Sequence, residues 1–221
     1  MRNIAIILAG GTGSRVGGNK PKQLLPLQDG RTILEHSVDA FEQAADIDEV
    51  AIVMHPDWLS EAEQLRSRNS WKKVIRVIPG GKERWESSVH AIEAYKEEQD
   101  GALLLHDAAR PFVSQQIIVD VCRALRTHAA VTVAVPVTDT LYQVNEDTVK
   151  QIPNRADFMR AQTPQAFHLD ILREAFRRAL SEGQMIVTDD AGVVHRYMPE
   201  QPIYIVPGDE DNKKITYERD L

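Results

Sequence analysis

Short apolar runs recur along the chain and alternate with stretches whose apolar residues return every three or four positions. The runs are Ile4–Leu8, Glu49–Met54, Lys73–Ile78, Ala102–Leu105, Val131–Val137 and Ile203–Val206, and they read as buried strands. The wholly apolar Ala102–Leu105 is expected at the centre of a sheet. Between the runs, Ile33, Leu34, Val38 and Phe41 follow a helical period behind Thr32, which is placed as an N-cap with Glu35 as its capping-box partner. Ser60–Arg68 reads as a polar helix, Arg84–Lys96 as a helix with Val89, Ile92 and Tyr95 on one face, and Gln116–Thr127 and Leu169–Leu180 as two more. Alternation of strand and helix predicts an α/β fold with a parallel sheet covered on both faces.

The pattern breaks after Val137. Thr140–Val144 and Thr148–Ile152 alternate with period two about the polar turn Asn145-Glu146-Asp147, as a hairpin does. A hairpin inserted into such a fold leaves a face uncovered, and a second copy of the chain is the expected cover. The expectation is one domain over residues 1–221, with a hairpin arm over about 137–158 and a homodimer built on it.

In open α/β sheets ligands bind beyond the carboxyl ends of the strands. Three strand ends carry chemistry here: Gly10 to Lys22, Gly80 to Arg84, and His106-Asp107-Ala108-Ala109-Arg110-Pro111. The first, Ala9-Gly10-Gly11-Thr12-Gly13-Ser14-Arg15, continues to Pro21-Lys22-Gln23. Glycines let backbone N–H groups close on a ligand, and Arg15 and Lys22 add positive charge, which together describe a polyphosphate cradle. It is neither of two better-known cradles. The dinucleotide fingerprint fails because Val16 stands in place of the third glycine, and the P-loop fails because Gly18 is followed by Asn19-Lys20-Pro21. A ligand-free turn would explain the glycines but not the cations behind them.

Charge and cysteine content narrow the partners. A formal net charge of -7 over 221 residues argues against nucleic acid held by bulk attraction, so an anionic ligand must meet locally placed cations. Cys122 is the single cysteine, which leaves no internal disulfide and no thiolate zinc cluster, and it is expected in a helix interior. Ile4–Leu8 is too short for a signal-peptide core and nothing approaches a membrane span, so a cytoplasmic protein without membrane contact is expected. Asp107, at a strand end beside a cationic loop, is the candidate ligand of a Mg²⁺ bridging to phosphates. His106 is expected to be packed rather than catalytic. Nucleotidyl transfer to a phosphate needs no protein nucleophile, because the acceptor oxygen is already anionic; alignment and charge neutralisation suffice.

Leu8-Ala9-Gly10-Gly11-Thr12-Gly13-Ser14-Arg15, Pro21-Lys22-Gln23, His106 to Pro111, Asp139-Thr140, Gln162-Thr163-Pro164-Gln165 and Asp211 to Thr216 together resemble the cytidylyltransferases of sugar-alcohol phosphates. The likeness covers nearly the whole chain. It implies a Rossmann-like, mostly parallel sheet, and a homodimer with a shared active site that uses CTP, Mg²⁺ and a small polyol phosphate. The acceptor implied is 2-C-methyl-D-erythritol 4-phosphate, for isoprenoid precursors, with ribitol 5-phosphate as the alternative and a non-catalytic CTP sensor as a further one. By motif, Ala9, Gly10, Gly11, Thr12 and Gly13 would hold the nucleotide, and Arg15, Lys22 and Lys214 would be catalytic. Gly81, Lys82 and Ser87 would meet the base, and Asp107 and Ala108 the nucleotide, with Asp107 also on the metal. Arg110, Thr140, Arg155 and Thr188 would reach the acceptor, Thr140 and Arg155 from the neighbouring subunit. Lys82 departs from the family pattern, which commonly has Asp there.

Overall fold

The protein is described by a computed structural model covering residues 1–11, 20–183, 187–217 and 220. Its strands are β1 (Arg2–Ala9), β2 (Glu49–Met54), β3 (Val74–Pro79), β4 (Gly101–Asp107), β5 (Ala130–Pro136), β6 (Gln143–Asn145), β7 (Thr148–Gln151), β8 (Met159–His168) and β9 (Tyr204–Pro207). The helices are α1 (Ile33–Glu42), α2 (Leu59–Asn69), α3 (Arg84–Ala94), α4 (Gln115–Ala124), α5 (Leu169–Glu182) and α6 (Asp190–Tyr197). Among the described residues, seven strands form one sheet in the order β3-β2-β1-β4-β8-β5-β9, and β6 and β7 pair separately. β1 lies parallel to both β2 and β4, with Ile6 opposite Ala51 on one side and Leu105 on the other.

The unbroken apolar runs follow from cover on both faces. Alternate residues of a strand point to opposite sides. Ile7 and Ile52 accordingly pack with Leu34, Val38 and Phe41 of α1 and Ile117 and Val121 of α4. Ile6, Leu8, Ala51 and Val53 pack on the other side with Ala91 of α3, Leu172 and Phe176 of α5 and Val193 of α6. Cys122 is a buried free thiol of α4, and burial raises its pKa to about 12.

Two elements escape the hydrophobic pattern. β8 runs antiparallel to β4 and β5, so the sheet is mixed rather than wholly parallel. Its central residues Gln162, Thr163 and Gln165 are polar yet buried, because each finds a partner. Gln162 Oε1 accepts from Asn212 Nδ2 at 3.0 Å, Thr163 Oγ1 accepts from the Asp107 backbone N–H at 3.1 Å, and Gln165 Nε2 donates to Asp189 at 2.7 Å. α6 follows a polar stretch and is started by Asp189, whose side chain accepts from Gly192 N–H. The hairpin forms where the period of two predicts it, but its paired strands are shorter, and Glu146 turns the chain at a φ of 49°.

α1 opens with the predicted capping box, and the same carboxylate ties α1 to α2. Glu35 accepts from Thr32 N–H and Oγ1 at 2.8 Å, from Arg68 Nη2 at 2.7 Å and from Asn69 Nδ2 at 2.9 Å, and is almost fully buried. Burial works to raise its pKa, but the bonds from Thr32 and Arg68 outweigh that and lower it to about 2. A carboxyl depressed on folding contributes stability above its unfolded pKa of about 4.5 and loses it as pH falls toward the folded value. Glu35→Gln is therefore expected to lower unfolding free energy by about 2 kcal/mol at pH 7. In urea titrations the gap should narrow as pH falls from about 4.5 toward about 2.

Candidate active site

The carboxyl ends of β1, β3 and β4 open on one cavity of about 310 Å³. Gly10 and Gly11 supply its β1 side, Gly81 to Arg84 and Ser87 its β3–α3 side, and Asp107 and Ala109 its β4 side, with Leu8, Lys22, Gln23 and Lys214 completing the wall. The three strand ends expected to meet do so. A second cavity, of about 320 Å³, lies beside Lys20, Leu24 and α2, where Arg68 is already committed to Glu35.

Close backbone approach requires glycine at two points. A Cβ on Gly80 would stand 3.0 Å from the Gly10 Cα, and one on Gly81 would stand 2.1 Å from the Glu86 Cβ. Gly81 N–H donates to Ser87 Oγ at 3.1 Å, while the Glu86 carboxylate takes the N–H groups of Lys82 and Glu83, capping α3. Gln23 pins the start of the glycine loop, donating from Nε2 to the carbonyls of Ala9 and Gly11, each at 2.8 Å.

The electrostatics favour an anion. Among the described lining residues, Lys22, Lys82, Arg84 and Lys214 stand against Asp107 and Glu83, a local positive surplus in a chain of net charge -7. Lys22 Nζ donates to the Ile215 carbonyl at 2.7 Å, so this lysine is held by the C-terminal segment rather than loose in solvent. Asp107 is bound at Oδ2 by Lys214 Nζ at 2.6 Å and at Oδ1 by Arg84 Nε at 3.2 Å. Burial works to raise the Asp107 pKa, but Arg84 and Lys214 outweigh it and hold the carboxyl well below the usual range. Behind it His106 is fully buried: Phe41 packs on its ring, Nε2 lies 3.0 Å from the Arg110 carbonyl, and Nδ1 lies 3.1 Å from Thr163 Oγ1. Burial lowers the imidazole pKa to about 4, so the ring is neutral and braces the turn after β4.

Of the residues singled out in the sequence, Gly10, Gly11, Lys22, Gly81, Lys82, Ser87, Asp107 and Lys214 line this cavity. Thr12, Gly13 and Arg15 lie outside the described residues. Ala9 and Ala108 stand behind the wall, fully buried. Ala9 offers its carbonyl to Gln23, and Ala108 offers its own to Ser37 Oγ at 2.7 Å. Arg110 is turned to the carbonyls of Asn212 and Ala161. Thr188 is exposed just before α6, and Thr140 and Arg155 are exposed at the two ends of the hairpin arm, away from this chain's cavity. Sequence reasoning passed over Gln23 and Arg84 as site residues. Gln23 follows Lys22 directly and was visible; Arg84 closes the Gly80–Arg84 strand end, but its role had no local signal, because its partners lie 23 and 106 positions away.

Comparison with known proteins agrees with this geometry. A family model for 2-C-methyl-D-erythritol 4-phosphate cytidylyltransferase (IspD) matches residues 3–221. The protein of that name from Thermobifida fusca is 47% identical, over 100% of this chain and 90% of its own. A bifunctional ribulose 5-phosphate reductase/CDP-ribitol pyrophosphorylase from Haemophilus influenzae is 40% identical over 100% of this chain but only 47% of its own. A crystal structure of 4-diphosphocytidyl-2C-methyl-D-erythritol synthase from Anaerococcus prevotii superposes with a TM-score of 0.86 at 28% identity, covering 99% of this chain and 92% of that one. With a family model over almost the whole chain, 47% identity to a curated relative and a superposing crystal structure in accord, the chain belongs to the 2-C-methyl-D-erythritol 4-phosphate cytidylyltransferase family.

Proposed function

We propose that the protein transfers the cytidylyl group of CTP to the phosphate of 2-C-methyl-D-erythritol 4-phosphate, serving isoprenoid precursor synthesis. An acceptor phosphate oxygen bonds to the α-phosphorus, the bond to the bridging oxygen breaks, and pyrophosphate leaves. The observation that carries the reading is the cationic cavity at the strand ends, in which the glycine edges of β1 and β3 face Lys22, Asp107 and Lys214. Such a reaction asks the protein for alignment and charge neutralisation. Lys22, together with Arg15, would meet charge developing on the phosphates, and Lys214 would stand beside the acceptor. Gly81, Lys82 and Ser87 would form the base pocket, with the Gly81–Ser87 bond setting its floor.

A metal fits this site. Asp107 uses one bond at each oxygen, and a carboxylate has about four acceptor positions. Mg²⁺ is commonly held by one or two carboxylates plus substrate phosphates, which suits a site without a cluster of three or more acidic or imidazole ligands among the described residues. Asp107 would hold the ion, which supplies neutralisation of the triphosphate when bound.

The hairpin supports a dimer as part of this reading. Tyr142, Val144, Val149 and Ile152 are all exposed on an arm whose two strands, among the described residues, pair only with each other. Such a ribbon is marginal alone, and a second copy would cover it while bringing Thr140 and Arg155 to the partner's acceptor site. Cytoplasmic residence is part of the same reading. Ribitol 5-phosphate stays in view as a second acceptor because of the Haemophilus influenzae relative.

Purified protein given CTP, Mg²⁺ and 2-C-methyl-D-erythritol 4-phosphate is expected to release pyrophosphate, with D-ribitol 5-phosphate a poor substitute. Faster release with the ribitol ester would reassign the acceptor; CTP binding with no release under either acceptor would leave a sensor. Lys22→Ala should lower kcat about 100-fold, with a stability loss of about 1 kcal/mol for its bond to Ile215. Gly81→Ala must push the β3–α3 loop at residue 81 apart from Glu86 in the first turn of α3 and should lower kcat/KM for CTP about 100-fold. Val144→Glu with Ile152→Glu should convert a dimer to monomers in analytical ultracentrifugation and lower turnover; a wild-type monomer would refute the shared site.

A further inference from the structure

Arg84 occupies the first position of α3 and reaches across the carboxyl ends of the sheet to two carboxylates at once. Its Nε donates to Asp107 Oδ1 at 3.2 Å and its Nη1 to Asp190 Oδ2 at 2.7 Å. Asp190 is itself immobilised: Ser88 Oγ, one turn along α3, donates to its other oxygen at 2.6 Å, and it opens α6. That helix is bolted to the sheet by Gln165 of β8, which donates to Asp189 and accepts from Ala191 N–H. The guanidinium is thus fixed at its backbone end by the α3 cap and at its far end by a buried, doubly bonded carboxylate.

Charge balance alone does not demand this arrangement. Lys214 already pairs with Asp107, and an ammonium is a point charge that tolerates many directions. A guanidinium is a rigid planar fork, so one held at Nη1 presents its Nε–H at a set place. Arg84 Nη2 is buried with no hydrogen-bond partner among the described residues, a cost retained by a group whose geometry is dictated by its other two bonds. We propose that Arg84 is a positioning residue: braced on Asp190 and Ser88, it sets the orientation of the Asp107 carboxylate in the nucleotide cavity and so couples α6 to the reaction. The proposal rests on the cytidylyl-transfer reading above.

Steady-state pyrophosphate release and thermal unfolding of wild type, Arg84→Lys, Asp190→Asn, their double variant and Ser88→Ala test it. Lysine preserves the charge but cannot span both carboxylates in fixed geometry. In folded Arg84→Lys and Asp190→Asn, kcat should fall about tenfold or more while KM for CTP stays within about threefold, as misorientation predicts. The double variant should be about as slow as the worse single one, because the two residues act as a unit. Turnover by Arg84→Lys within about twofold of wild type would overturn the proposal, since charge would then suffice; a loss carried by KM for CTP would overturn it in favour of direct binding. Should the first two variants fail to fold, Ser88→Ala decides: a severalfold lower kcat at unchanged KM supports the brace, and an unchanged kcat overturns it. Wild type that releases no pyrophosphate with any acceptor would remove the cytidylyl-transfer reading and this proposal together, whereas an active wild type with indifferent variants removes the brace alone.

Discussion

A carboxylate placed at the buried end of a central strand has to be compensated, and in this protein that requirement organises the site. Asp107 ends β4, at the middle of the sheet, where withdrawal from water disfavours its charge. Arg84 from the start of α3 and Lys214 from the C-terminal segment supply the compensation. The two cations arrive from opposite directions in sequence, so the charge of one residue draws together the β3–α3 junction, the β4 turn and the end of the chain. Opening any of these contacts would leave a buried charge with part of its neutralisation gone, a far larger penalty than losing a surface ion pair.

The strand that reverses direction beside β4 serves the same end. β8 carries Gln162, Thr163 and Gln165 through the sheet interior, and each polar group is answered: by Asn212, by the Asp107 backbone together with His106, and by the Asp189 cap of α6. Asn212 also donates to the Thr163 carbonyl and accepts from Arg110 through its own carbonyl. A hydrogen-bonded polar network buried beside a site rigidifies it, whereas an apolar core of equal volume would have no directional preference. The neutral His106 belongs to this bracing and not to proton transfer.

The hairpin stands apart from this economy. Its apolar residues face solvent in the isolated chain, and its ends carry Thr140 and Arg155, the latter held to the Thr138 carbonyl at 2.5 Å. The buried polar side chains of β8 are answered within the chain, whereas the arm leaves a row of valine, isoleucine and tyrosine exposed, the kind of surface a second copy of the chain would cover.

The order of strands and helices through β5, the capping box at Thr32, the hairpin and the convergence of three strand ends were all legible in the sequence. Each depends on neighbours within a few residues or on a strand's period of two, and such local signals survive without a structure. The same holds for Gly10, Gly81, Lys22 and Asp107, which sit in or beside short motifs at strand ends, whereas Lys214 was implied by the family resemblance alone. β8 and α6 were hidden, because a strand whose polar residues are buried in hydrogen bonds looks from its composition like a loop. Arg84 was hidden for a related reason: its worth comes from Asp107 and Asp190, distant in sequence, and a sequence records a side chain's charge but not the directions from which its partners arrive. Only the packed sheet, which brings α3, β4 and α6 to one rim, decides which cation meets which carboxylate.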